Sequence, residues 1–162
     1  MSSDFDALLF YLHNLSIETK NRFGPHAFDA DSVIQFYNNK GVTGFVATVA
    51  NSNTIIAYFI IKDGLLHFES ERLKNYHYSN IENDSCTYAP SVADEWQGKG
   101  IGKLMFYHIL DDCRQRFIKR IILWGGVQNT NEKALQFYKK LGFVTLGQFK
   151  YNGQNQDMLL EI

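Results

Sequence analysis

Gln97-Gly98-Lys99-Gly100-Ile101-Gly102 is the stretch of this chain best equipped for chemistry. Its three alternating glycines fall where an apolar segment ending at Val92 gives way to an amphipathic helix. Glycine at such a junction leaves main-chain N–H groups bare and lets a ligand approach the backbone, and the following helix adds the positive end of its dipole. The turn therefore has the make-up of an anion site, and its spacing says which ones it is not. A dinucleotide fingerprint needs a further glycine at position 103, which is Lys. An ATPase phosphate loop needs glycine at 97 and Ser or Thr at 104, where the chain has Gln and Leu. Gln-x-x-Gly-x-Gly remains.

A second run lies one strand further on: Asn129-Thr130-Asn131-Glu132-Lys133-Ala134-Leu135-Gln136-Phe137-Tyr138-Lys139-Lys140-Leu141-Gly142-Phe143. The turn from Val92 to Gly102 and this run, in this order, resemble the two signatures of the GNAT superfamily of acyl-CoA-dependent N-acetyltransferases. The second is similar to that family's Asn…Ala-x-x-Phe-Tyr-x-x-x-Gly-Phe. Ala93-Asp94 stands where the family often has His-Pro. The resemblance is close from Ser85 to Phe143; the N-terminal half shares only the order of elements. It implies acetyl-CoA as cofactor, its pyrophosphate held by the turn formed by Gln97, Gly98, Lys99, Gly100, Ile101, Gly102 and Lys103.

Moving an acyl group from a thioester to an amine needs a held cofactor, a deprotonated amine, stabilisation of the carbonyl oxygen as it gains charge, and a proton for the departing thiolate. By resemblance, the pantetheine arm pairs with main-chain groups at Ser91 and Val92, with the Val92 N–H or its neighbour as oxyanion donor. Tyr138 matches a tyrosine that gives the thiolate its proton, although a helix tyrosine is also an ordinary packing residue. Asn129 is a helix cap, a cofactor contact, or both. For the base, Asp84, Cys86 and Tyr88 fall on one side of a strand, with Glu82 just before them. Asp84 is the first choice, because a carboxylate in a partly apolar cleft has its pKa raised toward the working range.

Acceptor amines remain open: a small molecule or a peptide. Phe23, His26, Phe28, Phe68, Tyr76, His77 and Tyr78 are candidates to wall an aromatic pocket, and Glu69, Glu71 or Glu82 to attract a cationic amine. Two other classes compete with the enzyme. One is a GNAT-like module that binds acyl-CoA without transfer; the other is a nucleic-acid-binding domain using Arg114, Arg116, Lys119 and Arg120. The second is disfavoured, since helix C-termini attract cations anyway.

These residues must be positioned by elements legible in the sequence. Asp4 begins a helix carrying Phe5, Leu8, Leu9, Leu12 and Leu15, a short one follows Ser16, and Asp29 or Asp31 caps a third with Val33, Ile34, Phe36 and Tyr37 on one side. Phe45–Ala50 and Thr54–Ile61 read as strands joined by Asn51-Ser52-Asn53. Residues 62–83 have no clean period and are expected to be a partly strand-like excursion or lid. Ser85–Val92 is a strand that Pro90 should bulge or splay. Ile101 to about Phe117 is a helix with Ile101, Met105, Ile109, Cys113 and Phe117 on its apolar face. Ile121–Trp124 is a short buried strand. Asn129 with Glu132 is expected to cap a helix through Leu141, ended by Gly142, and Asn152-Gly153 to turn a C-terminal hairpin. The economical arrangement is a mixed α/β fold: a mostly antiparallel sheet of about six or seven strands, helices on both faces, and one parallel pair splayed at the cofactor site.

A chain of 162 residues with 45% hydrophobic content suits a single domain over residues 1–162. Sixteen basic and seventeen acidic residues leave a net charge of −1, which gives no global field for nucleic acid or an anionic membrane. Cys86 and Cys113 lack metal-ligand spacing and read as reduced thiols; the five histidines show no metal pairing either. With no leader-like segment or membrane-length apolar run, a cytoplasmic protein without metal is expected. The resemblance also allows a homodimer, which the chain neither supports nor opposes.

Overall fold

The computed structural model describes residues 3–78, 81 and 84–162. Its elements are α1 (Ser3–Asn14), α2 (Ile17–Arg22), α3 (Ala30–Tyr37), β1 (Val42–Thr48), β2 (Ile55–Asp63), α4 (His67–Lys74), β3 (Ser85–Val92), a 3-10 turn (Asp94–Trp96), α5 (Ile101–Gln115), β4 (Arg120–Leu123), β5 (Val127–Gln128), α6 (Glu132–Lys140), β6 (Val144–Lys150) and β7 (Gln154–Glu161). The strands form a seven-stranded sheet in the order β1-β2-β3-β4-β7-β5, with β6 also on β7. β3 and β4 pair in parallel, in the register Ser85↔Arg120 to Tyr88↔Leu123, whereas β7 is antiparallel to β4, β5 and β6. The mixed, mostly antiparallel sheet with one parallel pair is thus present, and the antiparallel β7 follows from the Asn152-Gly153 turn. Both turn residues take positive φ, as a tight hairpin demands.

Contacts divide the chain into two compact units: Met1–Ile61 with Ala89–Ile109, and Lys62–Tyr88 with Leu110–Ile162. In the first, β2 is buried at every position from Ile55 to Ile61, which is why it reads as a continuous apolar run without alternation. Leu8, Tyr11, Leu12 and Leu15 of α1 and the following turn are buried at helical spacing. Full burial of a side chain such as Leu12 is worth roughly 1.5–3 kcal/mol. Ser16 caps α2 by accepting from the Thr19 N–H, and Asp29 rather than Asp31 caps α3 through the Ser32 N–H. In the second unit, Leu73, Ile81, Ile122 and Leu159 form a core cluster, with Leu65, Tyr76, Tyr78 and Leu146 packed on it.

Three expectations are corrected. In place of the partly strand-like excursion or lid expected over residues 62–83, the described residues show the end of β2 at Asp63 followed by helix α4, which buries Glu69 and Leu73. Because one of its two buried residues is a carboxylate, its pattern carries no apolar period. Phe117 is off the apolar face of α5; it lies beyond the helix at φ 58° and is 83% exposed. The cap of α6 is Asn131, whose side chain accepts from the Ala134 N–H, and not Asn129. Asn129 instead follows the unforeseen two-residue strand β5 and donates its N–H to the Gln154 carbonyl at 2.8 Å.

Candidate active site

In the first unit, the glycine turn rests on a carboxylate that the sequence did not single out. Asp94 accepts from the Ser16 N–H (2.9 Å), Ser16 Oγ (2.7 Å) and Thr19 Oγ1 (2.7 Å). Partial burial raises its pKa, but these hydrogen bonds outweigh that and hold it below the usual carboxylate range. Gln97 adds a clasp, its Nε2 donating to the Val92 carbonyl at 3.1 Å and reaching Thr19 Oγ1 at 3.5 Å. The start of α2 thus pins the first residue of the 3-10 turn and the residue just after it.

Gly98 and Gly100 take φ 76° and 85°, and nothing lies within 4 Å of where a Cβ would sit on either. Conformation demands glycine here, and the space over the turn is open. The first bond of α5 is Leu104 N–H to the Gly100 carbonyl at 3.0 Å, so the N–H groups of Ile101, Gly102 and Lys103 have no partner within the helix. Lys99 Nζ sits 4.8 Å from the Trp96 ring centroid and Lys103 Nζ 5.9 Å from that of Tyr107. Bare N–H groups, an open cradle and two cations are a donor set that fits a pyrophosphate.

Just before the turn, Ser91 turns its hydroxyl inward, 2.8 Å from the Tyr11 hydroxyl and donating to the Tyr58 carbonyl at 3.1 Å. It can offer a ligand its main chain only. Val92, next along β3, faces the other way. Tyr58 itself lies between Tyr37 Oη (2.6 Å) and His26 Nε2 (3.0 Å), and burial raises the pKa of Tyr58 and Tyr11 and lowers that of His26. Gly44 is required beside this chain, because a Cβ there would collide with the Tyr37 hydroxyl.

The second unit holds Tyr138, Asn129 and Asp84. Tyr138 is 8% exposed, its ring edge-on to Phe143 at 5.4 Å, and no hydrogen bond to its hydroxyl is found among the described residues. Burial alone raises its pKa, so it stays a neutral phenol. Tyr88 is fully buried, and its pKa is raised first by that burial and then by the neighbouring Tyr138. Asn129 carries a buried Oδ1 with no hydrogen-bond partner. Asp84 precedes β3 at φ 52°; its side chain is 49% exposed and lies 3.1 Å from Lys119 Nζ, while its carbonyl accepts the Lys119 and Arg120 N–H groups. It therefore does not share the face of Cys86 and Tyr88. Cys86 Sγ is 3.9 Å from Cys113 Sγ, both as buried free thiols. Glu82 lies outside the described residues.

The aromatic residues expected to wall one pocket separate. Phe23, His26 and Phe28 are in mutual ring contact in the first unit, and His26 also meets Phe36 and Tyr58. Phe68 is exposed, while Tyr76 and Tyr78 pack on the core of the second unit. Glu69, named only for its charge, is buried beside Arg72 and Asp157. The basic residues at the end of α5 all stand against carboxylates: Arg114 with Asp111, Arg116 with Asp112 and Asp63, Lys119 with Asp84 and Arg120 with Glu161. Among the described residues, no group of three or more His, Cys, Asp or Glu could hold a metal, and no helix is long and apolar enough to cross a membrane.

The structure thus joins a mixed α/β sheet to an open glycine turn at a strand-to-helix junction, and similarity to known proteins says which family this is. Residues 11–143 match the Acetyltransferase (GNAT) family. The L-amino acid N-acyltransferase MnaT of Escherichia coli strain K12 is 22% identical over 151 residues, 93% of this chain and 80% of that protein. Mycothiol acetyltransferase of Thermobifida fusca strain YX is 27% identical over 84 residues, 46% of this chain and only 25% of that protein. Among solved structures, the GNAT domain of S. lividans PAT superposes with TM-score 0.73 at 18% identity, over 100% of this chain and 87% of that one. This chain belongs to the GNAT acetyltransferase family.

Proposed function

We propose that residues 1–162 act as one catalytic domain that transfers an acetyl group from acetyl-CoA to a primary amine by direct transfer in a ternary complex. The observation that carries this reading is the open turn at Gly98 and Gly100, with the N–H groups of Ile101, Gly102 and Lys103 left without a helical partner at the start of α5. Those groups, with Lys99 and Lys103, would hold the pyrophosphate, and the buried, unpartnered Asn129 Oδ1 would accept from a donor on the cofactor. Bound acetyl-CoA supplies an acetyl group on a thioester. The main chain at Ser91 and Val92 would pair with the cofactor arm, with the Val92 N–H as the donor to the carbonyl oxygen as it gains charge.

In the transfer, the amine lone pair forms the C–N bond, the C–S bond breaks, the sulfur gains a proton and the nitrogen gives one up. Tyr138 supplies the sulfur's proton: burial keeps its phenol neutral, and its hydroxyl is not committed elsewhere among the described residues. Asp84 is a poor choice for the nitrogen's proton, since its exposed carboxylate is already matched by Lys119. The relatives named above are an L-amino acid N-acyltransferase and a mycothiol acetyltransferase, two different activities, so the acceptor must be argued from this chain's own residues. The test is calorimetric binding of acetyl-CoA alongside thiol release with a panel of amines. Binding with release supports the transferase; binding without release favours a silent acyl-CoA-binding module, and no binding refutes the turn as a pyrophosphate site.

A further inference from the structure

A buried cluster of charges lies in the second unit, on the helix the sequence did not foresee. Arg72 of α4 holds Asp157 of β7 with both arms, Nε to Oδ2 at 2.7 Å and Nη2 to Oδ1 at 3.0 Å, and the same Nη2 reaches Glu69 Oε1 at 3.1 Å. Tyr76 donates to Asp157 Oδ2 at 2.7 Å, and the Arg72 guanidinium lies 3.7 Å over the Phe149 ring. Gly147, paired with Asp157 in the β6–β7 register, is needed because a Cβ there would strike the Tyr76 ring. Asp157 is matched at both of its oxygens. Glu69 is not: its side chain is 1% exposed, and its Oε2 has no hydrogen-bond partner among the described residues.

A structural tie between α4 and β7 needs only Arg72 and Asp157. It gives no reason to bury a second carboxylate with a free oxygen, which costs more than it returns unless something pairs with it. The place is also informative. Glu69 feels the N–H of Gly125, which follows Trp124, whose own N–H donates to the Tyr88 carbonyl at 2.9 Å at the carboxyl end of the parallel β3–β4 pair. Nothing lies within 4 Å of where a Cβ of Gly125 would sit. Ligands of α/β sheets gather at the carboxyl ends of parallel strands.

We propose that the amine acceptor is a cationic primary amine with no carboxylate beside it, and that Glu69, oriented by Arg72 and Asp157, binds its ammonium group. This rests on the transferase reading above. An ammonium supplies the donor that Oε2 lacks. An α-carboxylate would bring a second negative charge to Glu69, and the cation of the cluster, Arg72, is already committed to two carboxylates. The charged and titratable groups facing Glu69 are Arg72 on its own helix, Asp157 on β7 and Tyr76 beside it. Burial raises the Glu69 pKa to about 7, against the pull of Arg72, so its negative charge is gained between pH 6 and 8.

The test compares wild type and E69Q in acetyl-CoA thiol release with 1,5-diaminopentane, a dipeptide amide and free L-methionine. For the wild type we expect kcat/KM for 1,5-diaminopentane at least tenfold above that for L-methionine, and a KM for the diamine that falls several-fold from pH 6 to pH 8. In E69Q the diamine KM rises at least tenfold and loses this pH dependence, while calorimetric affinity for acetyl-CoA stays within twofold. A wild-type preference for the free amino acid, or an E69Q diamine KM like that of the wild type, overturns the assignment while leaving the transferase intact. Failure to bind acetyl-CoA overturns both, and the wild-type pH profile stands as a test even if E69Q does not fold.

Discussion

At the scale of single residues, Tyr138 and the two asparagines separate packing from function. Tyr138→Phe keeps the ring against Phe143 and removes only the hydroxyl, which has no partner among the described residues. General acid catalysis contributes typically 10²- to 10⁴-fold, so kcat in the thiol-release assay should fall at least about 10²-fold. Acetyl-CoA affinity should be unaltered, because the lost proton matters only as the C–S bond breaks. Unchanged turnover would remove Tyr138 from the mechanism. Asn131 and Asn129 give an opposed pair. Asn131→Ala deletes the oxygen that caps α6 and should cost about 1 kcal/mol, a drop in Tm of roughly 3 °C for a chain of this size. Asn129→Ala removes an amide oxygen that has no hydrogen-bond partner among the described residues, so Tm should hold while acetyl-CoA binding weakens in calorimetry. If both lose stability alike, Asn129 is a structural residue.

At the scale of elements, the glycine turn shows why a motif can be read before its support is known. Glycines 98 and 100 were legible because their φ values leave few other choices, and α5 because Met105, Ile109 and Cys113 fall on one side and are buried. The Asn152-Gly153 hairpin was legible for the same local reason. Asp94 was not: its partners Ser16 and Thr19 lie far away in sequence, and no spacing rule links them. Helix α4 escaped because Glu69 occupies a position where an apolar residue would have completed the period, and Asp84 was misplaced because it takes a left-handed conformation just before β3 and so leaves the face of Cys86 and Tyr88. The misassigned cap belongs here too: two asparagines at 129 and 131 are equivalent on paper, and the short strand β5 settles which one starts the helix. Support and motif should separate on mutation. Gly100→Ala forces a Cβ into φ 85°, at a cost on the order of 1–2 kcal/mol, and intrudes on the open face of the turn. Both Tm and acetyl-CoA affinity should fall. Asp94→Asn keeps the shape but weakens the hold of Ser16 and Thr19, so it should lower Tm with a smaller effect on affinity.

At the scale of the whole molecule, a net charge of −1 leaves stability against pH to individual groups rather than to global repulsion. Asp94 has its pKa held down by its hydrogen bonds, so its contribution is present above its unfolded value and is lost as pH falls through the folded one. His26, lowered by burial, likewise contributes above its ordinary value near 6.5 and loses that contribution on acidification. Glu69 works in the opposite sense. Its pKa is raised by burial from 4.5 to about 7, so its contribution is fully present below 4.5 and is lost as pH rises through 7. The full swing is on the order of 3 kcal/mol. Wild type minus E69Q cancels the other groups, so urea unfolding at pH 5, 6, 7 and 8 should show this difference declining steadily as pH rises. A flat difference would mean that Glu69 ionises as readily when folded as when unfolded. An ammonium bound to Glu69 restores what ionisation costs, since it stabilises the charged carboxylate and nothing in the unfolded chain. Added 1,5-diaminopentane should therefore raise the Tm of the wild type more at pH 8 than at pH 6 and leave E69Q nearly unmoved at both. Equal shifts in the two proteins would place the amine elsewhere.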